Sequence, residues 1–109
     1  MKLLNELLDP KSVRLNNTQQ GTLAIIFNSP TPQTAYNNTS GADNVVASRN
    51  FLEKMGIVKV SNNAVQLTDF GNQAVKAYNI ADDTGELTEY GKQLIDDTVE
   101  DKNEWKSID

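Results

Sequence analysis

The sequence contains no cysteine and no histidine among its 109 residues. These absences exclude disulfides, thiol nucleophiles, thiolate or imidazole metal ligands, and the side chain best suited to proton transfer near neutral pH. One acid-rich segment, "ADDTGEL" over 81–87, lacks the ligand spacing of a calcium loop and is typical of an Asp-rich turn in which Gly85 supplies the tight bend. The sequence therefore predicts no enzymatic activity, no metal site and no cofactor.

Long apolar runs are also missing. The N-terminal stretch "MKLLNELLDP" is too short, and too interrupted by acids, to be a signal peptide or a membrane span, so a cytoplasmic protein without membrane attachment is expected. Its leucines recur at helical spacing, which predicts a short helix ending at Pro10. We expect Leu4 and Leu8 of this helix to contact a partner, either a second copy of the chain or another protein.

Positive charge is scarce and unevenly distributed, with a formal net charge of −5. Residues 14–76 carry five basic and three acidic side chains, a local balance of +2, whereas residues 77–109 carry three basic and ten acidic side chains, a balance of −7. Nucleic-acid binding depends on neutralising phosphates. Only residues 14–76 have a charge balance that suits nucleic-acid binding.

Three further helices are predicted in the first half of the chain, after Pro10. The first of these begins at a cap formed by Asn16 or Thr18 and ends before Pro30. It is the most apolar helix of the chain, so it should form the centre of the core. The second is short, over about 32–37, and the third covers about 43–55. The residues expected on the buried face of the third helix are Val45, Ser48, Leu52 and Met55.

After Gly56 the hydrophobic period changes from helical to two. "IVKV" and "AVQL" predict two short strands joined by a turn that contains Asn62 and Asn63, because Asn tolerates the positive φ of a tight hairpin. Two similar segments follow, "LTDFGNQAV" over 67–75 and "LTEYGKQLI" over 87–95. Each supplies a Thr cap, an acid for the first turn, an aromatic residue and a Gly, and so predicts the start of a helix.

These elements predict a single domain over 1–109, with a core over 14–78, an N-terminal helix over 1–10 and an acidic helical extension over 79–109. The core resembles a winged helix-turn-helix domain. The residues that carry the resemblance are "SRNFLEKMGIV", which is similar to a recognition helix turning into a wing, and "VQLTDFG", which is similar to the return strand of the wing. The resemblance implies a mainly α fold with a small β-hairpin and added terminal helices, in a small prokaryotic or bacteriophage transcription regulator.

One position departs from the winged-helix pattern. Arg49 stands where many members have an apolar residue, seven residues before Gly56. Either the helix is rotated slightly, or Arg49 lies at the edge of the core with its guanidinium exposed. The departure leaves the set of DNA-facing residues open.

The resemblance implies binding of double-stranded DNA, with the helix at about 43–55 in the major groove. Base contacts are expected from Asn44 or Asn50 to adenine, from Arg49 to guanine or a phosphate, and from Val46 and Ala47 to thymine methyl groups. Contacts to the sugar–phosphate chain are expected from Thr39, Ser40, Lys54, Lys59, Asn62 and Asn63.

Four of these residues also have a purely structural explanation, whereas Val46, if exposed, suggests a contact that could be with DNA or with protein. Arg49 and Lys54 are equally typical of a solvated helix face, and Asn62 and Asn63 are typical turn formers. With so few cations, DNA binding is expected to need a homodimer or a protein partner held through the terminal helices, where Val99 and Trp105 are the candidate contacts. The alternative is a winged-helix module that binds protein and not DNA.

Overall fold

The computed structural model describes the backbone of residues 14–107 and the side chains of residues 14–99. The predicted helix over 1–10, with Leu4 and Leu8, and the side chain of Trp105 lie outside the described residues. The described chain is mainly helical with one small antiparallel hairpin, as predicted. The elements are α1 Asn17–Asn28, α2 Pro32–Asn38, α3 Asp43–Lys54, β1 Val58–Ser61, β2 Ala64–Leu67, α4 Asp69–Ala77 and α5 Glu89–Ser107.

Helix α1 lies at the centre of the core. A capping box fixes its start: Asn16 Oδ1 accepts from the backbone N–H of Gln19 at 2.8 Å, and Gln19 Oε1 accepts from the backbone N–H of Asn16 at 3.0 Å. The residues from Gln20 to Ile26 are all buried, as expected for a helix enclosed on several sides. The predicted central position of this helix is confirmed.

Helices α2 and α3 are joined by the four residues 39–42. Helix α2 starts as predicted, because Thr31 Oγ1 accepts from the backbone N–H of Thr34 at 3.1 Å and Pro32 occupies the first helical position. Helix α3 packs on α1. Its buried residues include the predicted Val45, Ser48 and Leu52, together with Arg49.

The β1–β2 hairpin also follows the prediction. Asn62 and Asn63 form its turn with φ of 53° and 60°, the left-handed values that a two-residue hairpin turn requires at both central positions. Along the paired strands Val58 and Val65 are buried, while Lys59 is exposed. This alternation turns one face of the hairpin to the core and leaves the other in solvent.

The two similar segments open α4 and α5 in the same way. Thr68 Oγ1 accepts from the backbone N–H of Gly71 at 3.0 Å, and Thr88 Oγ1 accepts from the backbone N–H of Gly91 at 2.9 Å. Both threonines are therefore the helix caps that the sequence predicts.

The similarity extends to the loop before each cap. The carbonyl of Ile57 accepts from the backbone N–H of Thr68 at 3.1 Å, and the carbonyl of Ile80 accepts from that of Thr88 at 2.9 Å. The backbone N–H of each isoleucine donates to a carbonyl in the last turn of the preceding helix, at 2.9 Å and 2.8 Å respectively. Each isoleucine therefore joins the end of one helix to the start of the next.

The shared glycines allow these junctions to close. A Cβ added to Gly71 would lie 2.0 Å from the Ile57 carbonyl oxygen, and one added to Gly91 would lie 2.6 Å from the Ile80 carbonyl oxygen. Both distances are impossible for a real side chain, so each helix can approach its isoleucine only with Gly at this position.

Helix α5 packs across α1 at a second close approach. A Cβ added to Gly21 of α1 would lie 1.9 Å from Thr98 Oγ1. Leu94 and Thr98 are buried at this crossing, and Leu94 belongs to the same hydrophobic cluster as the residues of α1. Within residues 14–107, no helix has both the length and the hydropathy needed to cross a membrane.

Candidate nucleic-acid interface

The outer face of α3 is an exposed stripe, defined by Asp43, Ala47, Asn50 and Lys54. These residues recur at intervals of four, three and four, so they lie in line along the helix over about 16 Å. Beside the stripe Asn44 is exposed and Val46 is half-buried. The structure thus brings together five of the predicted DNA-contacting residues on one helix face: Asn44, Val46, Ala47, Asn50 and Lys54.

Arg49 does not belong to this face. It is only 6% exposed, and its guanidinium points back to the turn between α2 and α3. Nη1 donates to Ser40 Oγ at 2.8 Å, to the Thr39 carbonyl at 3.2 Å and to Thr39 Oγ1 at 3.3 Å, while Cζ lies 4.3 Å from the ring centroid of Tyr36. Arg49 therefore connects the two helices from inside.

The helical period explains why Arg49 faces inward. At about 100° per residue it lies about 60° around the helix from the fully buried Leu52, and about 100° from the exposed Asn50. Of the two alternatives for Arg49, the one with an exposed guanidinium is wrong. In this conformation the expected contact of Arg49 with guanine or a phosphate is also blocked by its burial.

In the described part of the chain, the buried charge of Arg49 is compensated without an acid. Within residues 14–99 no carboxylate lies at ion-pairing distance from it; Lys92–Glu89 is the ion pair found in that range. The acceptors are instead oxygens at the C-terminal end of α2, where the helix dipole is negative, and the Tyr36 ring adds a cation–π contact. Nε is buried without a hydrogen-bond partner, so the environment of the cation is not fully satisfied.

Of the two turn residues predicted to contact DNA, only Ser40 is exposed. Thr39 is completely buried, and its Oγ1 donates to the Ala35 carbonyl at 2.8 Å. Its side chain therefore stabilises the end of α2 and cannot reach a phosphate. Ser40 Oγ donates to the Tyr36 carbonyl and accepts from Arg49, so it is held at a fixed position at the surface.

The hairpin places three further predicted residues in solvent. Lys59 lies on its outer face, and Asn62 and Asn63 form its exposed tip. The positive φ of both asparagines shows that the turn itself requires them. Contact with nucleic acid is not needed to explain their presence.

The electrostatics of this surface are close to neutral. With Arg49 buried, the exposed cations among the predicted contacts are Lys54 and Lys59. They are offset by two exposed acids of α3, Asp43 and Glu53. Glu53 Oε2 also accepts from the backbone N–H of Val60 at 3.4 Å, which links the end of α3 to the hairpin.

The C-terminal candidates lie away from α3. Val99 is 40% exposed on α5, and Tyr90, at the start of the same helix, is 45% exposed with its hydroxyl 2.6 Å from Gln20 Oε1. Exposed acids, including Asp96 and Asp97, surround this part of α5. Val99 is thus exposed in the described part of the chain, and its contact with a partner stays a prediction.

One surface feature was not predicted. An open groove of about 290 Å³ lies between α1, α2, β2 and α4, with Phe27, Pro30, Pro32, Val65 and Leu67 among its lining residues. The two prolines were the available signal in the sequence, but they mark only one wall. Its other walls come from residues far apart in the chain, which local patterns do not bring together.

Comparison of the chain with protein families, with characterised proteins and with solved structures finds no match.

Proposed function

We propose that this protein binds double-stranded DNA as a winged helix-turn-helix transcription regulator, with α3 in the major groove and the β1–β2 hairpin as its wing. The observation that carries the proposal is the exposed stripe of α3, on a helix whose opposite face is fixed against α1. The major groove admits one helix and presents hydrogen-bonding groups and methyl groups on the base edges. The stripe and its flank offer amide groups, a methyl group and a terminal cation.

The junction before α3 supports this proposal. Because the interior side chain of Arg49 binds both residues 39 and 40, α2 and α3 are held at a fixed relative position before any ligand arrives. A preorganised reading helix loses less conformational entropy on binding than a mobile one. In the proposed complex Arg49 sets the geometry of the helix pair and does not contact DNA.

Contacts to the backbone of the duplex are assigned to the exposed polar groups around the stripe. Lys54 and Lys59 bind phosphates, Ser40 contacts the backbone near the start of α3, and the hairpin tip reaches the sugar–phosphate chain. In one copy of the chain, two lysines make only a weak, salt-dependent electrostatic contribution to DNA affinity. A homodimer that places two copies of α3 about 34 Å apart on the duplex would double this contribution.

The decisive experiment measures affinity for duplex DNA over a series of salt concentrations. A phosphate contact contributes about 0.9 to the slope of log K against log [salt], so Lys54→Ala and Lys59→Ala should each reduce the slope by about that amount per DNA-bound copy. Lys92→Ala is the matched control, because Lys92 lies on α5 and pairs with Glu89. Absence of binding to any duplex at low salt would overturn the proposal.

A protein-binding module without DNA contact is the second candidate. It is favoured by the burial of Arg49, which removes one of the few cations from the outer surface, and by the exposure of Val99 among acids. This hypothesis predicts association through α5. Sedimentation of wild type and Val99→Glu would show a loss of association in the variant, whereas the control Asp96→Ala would behave as wild type.

A further inference from the structure

We propose that the base pairs facing Ala47 and Asn50 in the complex are A·T pairs. The inference rests on the proposed function and adds to it the class of sequence that α3 recognises. It follows from two observations: Ala47 and Asn50 are exposed on the stripe, whereas Arg49 is buried.

The buried side chain, that of Arg49, is the one best suited to guanine. Arg or Lys donating to O6 and N7 is the commonest specific contact to guanine in the major groove. Helix α3 contains one arginine, Arg49, and its guanidinium is buried against Thr39 and Ser40. The lysine of α3, Lys54, is its last residue and is assigned to a phosphate. The centre of the stripe therefore has no guanine-reading cation.

The side chains that remain at the centre fit adenine and thymine. The exposed amide of Asn50 can accept from N6 of adenine and donate to N7, which is the pairing that distinguishes adenine from the other bases. In the described part of the chain no side-chain hydrogen bond involves Asn50, so its amide makes no competing side-chain contact there. Ala47, one turn before it, exposes a methyl group that suits the C5 methyl of thymine.

The spacing assigns these two residues to neighbouring base pairs. Three residues of α-helix advance by about 4.5 Å, whereas successive base pairs are about 3.4 Å apart. Asp43 lies a further turn away at the start of the helix, where a carboxylate suits cytosine N4. The inference is therefore limited to the pairs at the centre of the stripe.

The first test is selection of bound duplexes from a randomised pool by the full chain, repeated with Asn50→Ala. Wild type should enrich adjacent A·T pairs. Replacing the pair that faces Asn50 with G·C should weaken binding by about 5- to 150-fold, as expected for the loss of a bidentate contact. Asn50→Ala should lose this discrimination, while Asn72→Ala, at an exposed asparagine of α4, should retain the wild-type profile.

Modified bases then test the individual contacts. Binding of the selected duplex should weaken when 7-deazaadenine removes the N7 acceptor opposite Asn50, and also when deoxyuridine removes the thymine methyl group opposite Ala47. Enrichment of G·C pairs at the central positions, or an unchanged profile in Asn50→Ala, would overturn the inference and leave DNA binding standing. Failure to bind any duplex would overturn both.

Discussion

The guanidinium of Arg49 holds Ser40 in place, with Nη1 donating to Ser40 Oγ at 2.8 Å while the same oxygen donates to the carbonyl of Tyr36. Because Arg49 is in α3 and Tyr36 is in α2, this pair of contacts spans the junction of the two helices. A buried cation thus contributes to the stability of the junction. Its stability should respond strongly to loss of that cation.

Arg49→Met keeps most of the side-chain length and removes the donors. We expect the free energy of unfolding to fall by about 2–3 kcal/mol, because the buried oxygens of Thr39 lose a charged hydrogen-bond donor. Urea denaturation measures this loss. Asn50→Ala, at an exposed position of the same helix, should change stability by no more than about 0.5 kcal/mol. Equal stability of Arg49→Met and wild type would contradict the structural role of this contact.

The crossing of α1 and α5 should not tolerate a larger residue at Gly21. Gly21→Ala places a Cβ 1.9 Å from Thr98 Oγ1 and 3.0 Å from the Leu94 carbonyl oxygen. We expect a loss of about 1–3 kcal/mol from overpacking, although Ala favours a helix by about 1 kcal/mol relative to Gly. Thermal unfolding measures the difference.

A double mutant locates the origin of this strain. Thr98→Ala removes Oγ1, so the cost of Gly21→Ala should be smaller in the Thr98→Ala background than in wild type. The part of the cost that comes from the Leu94 carbonyl should persist. Equal costs in the two backgrounds would show that Thr98 does not limit the approach of the helices.

The two threonine caps should stabilise the starts of their helices in the same way. Thr68→Ala and Thr88→Ala should each cost about 1 kcal/mol, the usual effect of losing a helix cap. Thr68→Ser and Thr88→Ser retain the oxygen and serve as matched controls. Amide exchange should accelerate at Gly71 in Thr68→Ala and at Gly91 in Thr88→Ala, because these N–H groups donate to the two caps. Unchanged exchange at Gly71 in Thr68→Ala, or at Gly91 in Thr88→Ala, would contradict the capping role.

The Asp82 carboxylate should titrate at unusually low pH. The Thr84 hydroxyl, at 2.6 Å from Oδ1, and the backbone N–H of Glu86, at 3.0 Å, stabilise the charged form and lower the pKa of Asp82 below its ordinary value of 3.8. Its contribution to stability is therefore fully present above the unfolded-state pKa and is lost as the pH falls through the lower folded-state pKa.

NMR titration of the Asp82 carboxyl carbon measures this pKa directly. Thr84→Val removes the hydroxyl and should raise the pKa of Asp82 towards its ordinary value, whereas Thr84→Ser should leave it low. A titration midpoint at or above 3.8 in the wild-type protein would contradict the hydrogen-bonded arrangement.

Local rules account for most of the secondary structure. The start of α1 follows from a capping pair three residues apart, and the hairpin turn follows from two asparagines between alternating strands. The two Thr-x-x-Gly helix starts follow from similar chemistry. In each case the interacting groups lie within a few residues of one another, so the sequence contains the complete arrangement.

Arg49 shows where local reasoning fails. Its position in the helical period places it towards the core, but its charge favours solvent, and the sequence alone does not decide between these preferences. The decision comes from carbonyl and hydroxyl oxygens about ten residues earlier, at the end of α2. The close approach at Gly21 is similarly non-local, because its neighbours Leu94 and Thr98 lie more than 70 positions away.

The isoleucine junctions make the end of one helix and the beginning of the next a single structural event. Ile57 is bonded on its N–H side to α3 and on its carbonyl side to the cap of α4, and Ile80 links α4 to α5 in the same way. Fraying at either end of α4 therefore removes support from its neighbour as well. Helices α3, α4 and α5 should open as one cooperative unit in native-state hydrogen exchange. The two loops that contain Ile57 and Ile80 should open together with these helices and not move as independent hinges.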